Sequence, residues 1–102
     1  MKKVAIVLFA ACGLAFAGAP EGKAVYEAKC QKCHGPNGEG KESVAKMMHV
    51  ELKHLGSKEV LAKSNADMKK IITAGQGKMK PIADLSEKQL DDVIAYVRTM
   101  KP

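Results

Sequence analysis

The residues with the most specific chemistry are two cysteines followed at once by a histidine, in the segment Cys30-Gln31-Lys32-Cys33-His34. On a helical turn, two thiols three residues apart lie on one side, where both can add to the vinyl groups of a single haem. The histidine then lies beneath the iron, which an imidazole nitrogen can bind. The spacing therefore predicts one covalently attached haem c, with Cys30 and Cys33 as thioether residues and His34 as an axial iron ligand.

Two other uses of a Cys-x-x-Cys pair fit the chain less well. A thiol-redox domain surrounds the pair with strands, and the alternating apolar and polar runs typical of strands are not found in this sequence. A structural zinc site needs a second pair of ligands, for which His49 and His54 are the candidates. We favour haem attachment and keep thiol redox chemistry and zinc binding as alternatives.

A second axial ligand is expected from one of the methionines that follow the first 17 residues, which are Met47, Met48, Met68, Met79 and Met100. Met48 fits an apolar helical stripe, Met68 falls in the first turn of a predicted helix, and Met100 in a fraying tail. Met79 instead lies in a loop with Gly75, Gly77 and Pro81. Such a loop can fold over the open face of a haem and present one side chain to the iron. Met79 is therefore the expected ligand, with His49 and His54 as rivals.

The start of the chain predicts export. Lys2 and Lys3 precede an apolar run that ends near Leu14, and Ala15-Phe16-Ala17 matches the small-residue pattern before a cleavage site. We predict a signal peptide over 1–17, cleavage before Gly18, one domain over 18–102, and a periplasmic location. A retained membrane anchor and lipid attachment at Cys12 are the alternatives.

Length and composition limit what this domain can be. The full chain has 102 residues, of which 4% are aromatic, and a net charge of +6. This size excludes a multidomain enzyme. A domain so short usually needs disulfides, a metal or a cofactor to complete its core.

Helices and loops must position these residues. A first helix is predicted over Glu21–Lys32, with an imperfect apolar stripe at Ala24, Val25, Ala28 and Cys30. A second is predicted between Ser43 and Gly56 from the spacing of Val44, Met48, Leu52 and Leu55.

The second half of the chain gives clearer helix signals. Residues 58–63 are expected to form a short turn, and Ser64 or Asn65 can cap a helix over Ala66–Ala74 that ends at Gly75. In the last helix Ser86 and Gln89 form a capping box ahead of an apolar stripe made of Leu90, Val93, Ile94 and Val97.

With these motifs in place, the chain resembles a small monohaem class I c-type cytochrome of the bacterial periplasmic kind. Three segments carry the resemblance: Gly22 and Tyr26 ahead of the Cys30–His34 motif, the Gly-rich approach Ile72–Met79, and the C-terminal segment Leu85–Val97. The resemblance implies an all-α fold of three to five helices wrapped around the haem, with the first and last helices crossing. It also implies His34 and Met79 as axial ligands and electron transfer, with no enzymatic activity, as the function.

The sequence departs from the family pattern in two places. Lys80 stands between Met79 and Pro81, where the proline usually follows the methionine directly. Residues 41–55 also lack the Gly-Pro segment whose carbonyl often accepts the ring N–H of the proximal histidine. We expect another backbone carbonyl to orient the His34 ring.

The lysines around the predicted site suggest the class of partner. Lys29 and Lys32 flank the attachment motif, and Lys78 and Lys80 flank Met79. These four residues could form a basic collar around one haem edge that docks an acidic patch on a redox partner protein. No basic run interleaved with aromatics is present, which argues against nucleic acid as a partner. We expect a monomeric carrier of single electrons, with a haem-based small-ligand binder or sensor, or a subunit of a larger oxidoreductase, as alternatives.

Overall fold

The structure, a computed structural model, describes residues 18–102. Within that range the chain forms helices joined by loops, without a strand, which confirms the predicted all-α class. Six helical segments are present in the described range, against the expected three to five. Four have seven residues or more, and the other two are single turns, which account for the excess. The segments are α1 (Ala19–Lys29), α2 (Gln31–His34), α3 (Glu42–Met48), α4 (Lys58–Leu61), α5 (Asn65–Ala74) and α6 (Glu87–Val97). The predicted signal peptide and Cys12 lie outside the described residues.

The first and last long helices, α1 and α6, form the main packing interface of the described chain. Gly22 lies at their crossing, where a Cβ atom would overlap the Asp92 carbonyl and come within 2.9 Å of the Tyr96 Cβ. Close by, the rings of Tyr26 and Tyr96 pack at a centroid distance of 5.5 Å and an angle of 53°. The buried carboxylate of Asp92 pairs with Lys88 Nζ at 2.7 Å. The predicted crossing of the first and last helices is confirmed, and it lies at Gly22 and Tyr96.

The buried face of α1 differs from the predicted stripe. Ala24 and Ala28 are exposed, whereas Gly22 and Tyr26 are buried and Cys30 is half-buried. These three residues recur every four positions and so lie on one side of the helix. Ala24 and Ala28 were wrongly predicted to lie on the buried face, whereas Val25 and Cys30 pack against the core as predicted. Gly22 was missed because a glycine contributes nothing to an apolar pattern, although its lack of a side chain permits the close packing.

The helix predicted between Ser43 and Gly56 is about half as long in the structure. It begins at Glu42, after Lys41 rather than Ser43, and ends at Met48 because His49 takes a left-handed conformation with φ 55°. Beyond it, the Leu55 N–H donates to the Gly38 carbonyl at 2.8 Å. At Leu55, a hydrogen bond to the loop after His34 therefore replaces a helical hydrogen bond, which the local spacing of apolar residues cannot reveal.

The remaining helices agree with their sequence signals. Ser64 caps α5 by accepting a hydrogen bond from the Asp67 N–H, and Gly75 ends it. Ser86 and Gln89 form the predicted capping box of α6. The expected short turn is α4.

Arg98, directly after α6, ties this helix to the connection between α4 and α5. Its guanidinium donates to the carbonyls of Leu61 and Lys63 and to the Asn65 side chain at 2.6 to 3.0 Å. Arginine suits this place because its planar fork can serve several acceptors at once. The backbone at Lys63 is thereby fixed.

The core cluster of the described residues is small, and consists of Tyr26, Met68, Val93, Ile94 and Met100. Met100 is only 8% exposed, so its predicted place in a fraying tail is wrong. The segment stays ordered because the backbone continues in turns beyond α6, with the Met100 N–H donating to the Val97 carbonyl. So few buried side chains leave space in the interior for a further group.

Candidate functional site

The attachment motif occupies the break between α1 and α2. The Cys30 N–H still bonds to the Tyr26 carbonyl, but the Cys30 carbonyl accepts from both Cys33 and His34 at 3.3 and 3.1 Å. One tight turn therefore carries Cys30, Cys33 and His34, and both cysteines are free thiols in the structure. Burial raises the pKa of the Cys30 thiol to about 11, which keeps it neutral.

Tyr26 holds the end of this turn. Its fully buried hydroxyl donates to the carbonyl of Gly35, the residue after His34, at 2.5 Å. Burial raises the pKa of this phenol above its usual range, so the hydroxyl remains a donor. In the sequence, Tyr26 stood out only as part of the family resemblance, and its contact with the Gly35 carbonyl was not predicted.

The His34 imidazole has an unsatisfied nitrogen. Its Nδ1 is buried and has no hydrogen-bond partner among the described residues, so the expected carbonyl partner of this ring is not found there. Burial lowers the pKa of His34, which favours the neutral imidazole that binds metals. Buried nitrogens without a partner are uncommon, and a metal or an acceptor would satisfy this one.

Two cavities meet at the motif. The first, which we call the apolar cavity, has a volume of about 140 Å³ and walls that include Met68, Ile72 and Val93. The second, the lysine-rimmed cavity, has a volume of about 360 Å³ and includes Cys33 and Met48. Cys30, His34 and Met79 line both cavities.

The residues that line both cavities show whether a haem could be held at this site. A flat macrocycle lying between His34 and Met79 would extend into both cavities, against apolar walls and with the thiols at its edge. A neutral imidazole and a thioether are the donors of a His/Met haem. The residues present therefore fit the cofactor.

The loop after α5 brings Met79 to these cavities. Gly75 has φ 80°, which favours glycine, and a Cβ there would lie 2.6 Å from the Met79 carbonyl. Gln76 and Met79 exchange two backbone hydrogen bonds, of 3.1 and 2.9 Å. The Ile82 N–H then returns to the Ile72 carbonyl at 2.8 Å, which closes the loop against α5.

The other candidate ligands have different positions. Met68 is 7% exposed and lines the apolar cavity, so it is a second thioether near His34 that sequence reasoning placed merely in a helix. His49 and His54 line neither of the two cavities, and the described residues contain no cluster of three or more His, Cys, Asp or Glu that could hold a metal ion. His54 Nδ1 accepts a hydrogen bond from the Gly56 N–H.

The four flanking lysines surround one opening. Lys29, Lys32, Lys78 and Lys80 all line the lysine-rimmed cavity. Lys29 pairs with Asp84 at 2.5 Å, and Lys78 donates to the Met48 carbonyl at 2.5 Å. In the part of the chain described, no helix is both long enough and apolar enough to cross a membrane.

Comparison with known proteins gives a family match and a similar protein. Residues 17–97 match the family model described as "Cytochrome C oxidase, cbb3-type, subunit III". The chain is also similar to "Cytochrome c-554(547)" of Halothiobacillus neapolitanus. The two sequences are 33% identical over 88 residues, which cover 81% of this chain and 97% of that protein.

Proposed function

Since the chain belongs to the c-type cytochrome family described as cytochrome c oxidase, cbb3-type, subunit III, and so carries covalently bound haem c, we propose that it carries single electrons on a haem iron ligated by His34 and Met79. In this proposal Cys30 and Cys33 are the thioether residues. The observation that carries it is the pair of cavities that share Cys30, His34 and Met79. The domain over 18–102 acts in the periplasm after cleavage of a signal peptide over 1–17.

Each residue has a defined part in this chemistry. The bound haem supplies an iron that alternates between Fe(III) and Fe(II). The neutral His34 imidazole and the Met79 thioether would hold the iron, and this ligand pair favours a comparatively high potential. Apolar walls at Met68, Ile72 and Val93 exclude water. With His34 and Met79 both bound, the iron would have no site for a substrate, so the proposed role is transfer of electrons without catalysis of a bond change.

The lysine collar, made of Lys29, Lys32, Lys78 and Lys80, is the proposed docking surface for an acidic patch on a redox partner protein. Its support is that all four line one cavity mouth. Lys29 is neutralised by Asp84, so Lys32, Lys78 and Lys80 supply most of the attraction. The carrier is proposed to be monomeric and to bind no nucleic acid.

A second candidate function follows from the matching family, whose description names an oxidase subunit. In that case the domain would pass electrons inside a larger oxidoreductase. The size of the native protein distinguishes the two functions. A free carrier elutes from a gel-filtration column as a monohaem protein of its own mass, and a subunit elutes with its complex.

The proposed function is tested on the haem-loaded protein. We expect a reversible one-electron titration, the weak long-wavelength band that Met–iron bonding gives ferric haem, and little carbon monoxide binding at neutral pH. A ferric spectrum without that band, together with ready carbon monoxide binding, would instead support a small-ligand binder or sensor.

A further inference from the structure

A third cavity adjoins the apolar cavity at the end of α5. This polar cavity has a volume of about 300 Å³ and shares Lys63, Ile71 and Gln76 with the apolar cavity. Its other charged residues are Asp67 and Lys70. The space therefore changes from apolar to polar across three shared residues.

The apolar cavity is lined both by Cys30 and by the residues that it shares with the polar cavity, which suits a haem whose two edges differ. A haem carries its vinyl groups on one edge and its two propionate carboxylates on the opposite edge. Cys30 lines the apolar cavity but not the polar one, so a thioether there leaves the opposite edge to face away from Cys30. We propose that the polar cavity receives the haem propionates and that Lys63 is their principal cationic partner, with Gln76 as a neutral donor.

Lys63 is chosen because it alone among the three charged residues of the polar cavity also lines the apolar cavity. Lys70 and Asp67 are exposed, and the Asp67 carboxylate would repel a propionate. Lys63 is half-buried, and the Arg98 guanidinium holds its carbonyl at 2.8 Å. The charge of a half-buried lysine is less screened by water and salt than that of a fully exposed one.

A consequence for function follows, which rests on the proposed electron-carrier role. A positive charge near the haem favours Fe(II) over Fe(III), so Lys63 raises the reduction potential. We expect Lys63→Gln to lower the equilibrium constant for reduction roughly three- to tenfold, and a tenfold change corresponds to about 59 mV for one electron.

The test compares three variants of the haem-loaded protein by redox titration. Lys63→Gln should lower the potential, and Lys63→Arg, which keeps the charge, should restore most of it. Lys23→Gln is the matched control, because Lys23 is exposed on α1 and lines none of the three cavities. In the Fe(II) protein, nuclear Overhauser contacts between the Lys63 side chain and the propionate methylenes give a readout that does not depend on any variant.

Equal shifts of the reduction potential in Lys63→Gln and Lys23→Gln would overturn the inference, and so would propionate contacts to the collar lysines instead of Lys63. The proposed function would still stand in either case as long as the Met–iron band is present. Loss of that band from the unaltered protein would overturn the proposed function first. Should Lys63→Gln not fold, the Overhauser contacts in the unaltered protein decide.

Discussion

At the scale of single residues, Tyr26 combines two contacts that can be separated by experiment. Tyr26→Phe keeps the ring against Tyr96 but leaves the Gly35 carbonyl without its buried donor. We expect a loss of about 1–3 kcal/mol in the free energy of unfolding, measured by denaturant titration of the haem-loaded protein. Tyr96→Phe is the matched control, since Tyr96 is half-buried and donates no side-chain hydrogen bond within the described chain. Equal losses in the two variants would show that the Tyr26 hydroxyl contributes nothing specific.

The residues with intrinsic chemistry can be proposed from the sequence alone, because the spacing of Cys30, Cys33 and His34 and the glycines around Met79 are local signals. The structure places Cys30, His34 and Met79 on the walls of the same two cavities. The sequence did not place Met68 or Lys63 at this site, because their positions on the wall of the apolar cavity depend on how the helices pack. No local pattern reports that a helical methionine and a lysine near a helix start face the same interior space.

At the scale of helices, the crossing of α1 and α6 depends on Gly22. Alanine favours helix over glycine by about 1 kcal/mol, so Gly22→Ala would stabilise an isolated helix. Here the added Cβ overlaps the Asp92 carbonyl, and we expect a net loss of about 1–3 kcal/mol, seen as a lower melting temperature. Lys23→Ala, at the exposed neighbouring position, should stay within about 0.5 kcal/mol of the parent. A higher melting temperature for Gly22→Ala would contradict the close packing.

Helix ends were predictable where side chains cap them. Ser64 and Ser86 each accept a hydrogen bond from the backbone three residues on, a signal that sequence carries directly. The end of α3 at Met48 was not predictable from the sequence. It depends on the left-handed conformation of His49 and on the hydrogen bond from the Leu55 N–H to the distant Gly38 carbonyl. An apolar spacing of three and four can arise from residues that pack without forming a helix.

At the scale of the whole molecule, the net charge of +6 for the full chain matters less than where the lysines lie. The collar predicts that the reduced protein reacts faster with a small anionic oxidant such as ferricyanide at low salt. The rate should fall as the screening length shortens to about 10 Å near 0.1 M. Lys78→Gln with Lys80→Gln should flatten this dependence, and Lys23→Gln should leave it nearly unchanged. A salt-independent rate in the unaltered protein would contradict the collar.

In the proposed site, His34 and Met79 bind the iron of a haem held by Cys30 and Cys33. Ferric absorption spectra of Met79→Leu and Met68→Leu distinguish the two candidate thioethers, because each substitution nearly conserves side-chain volume and removes one cavity-lining sulfur. We predict that both proteins keep covalent haem, that Met79→Leu alone loses the Met–iron band, and that its Fe(II) form binds carbon monoxide. Retention of the band in Met79→Leu with its loss in Met68→Leu would contradict ligation by Met79 and assign the ligand to Met68 on α5.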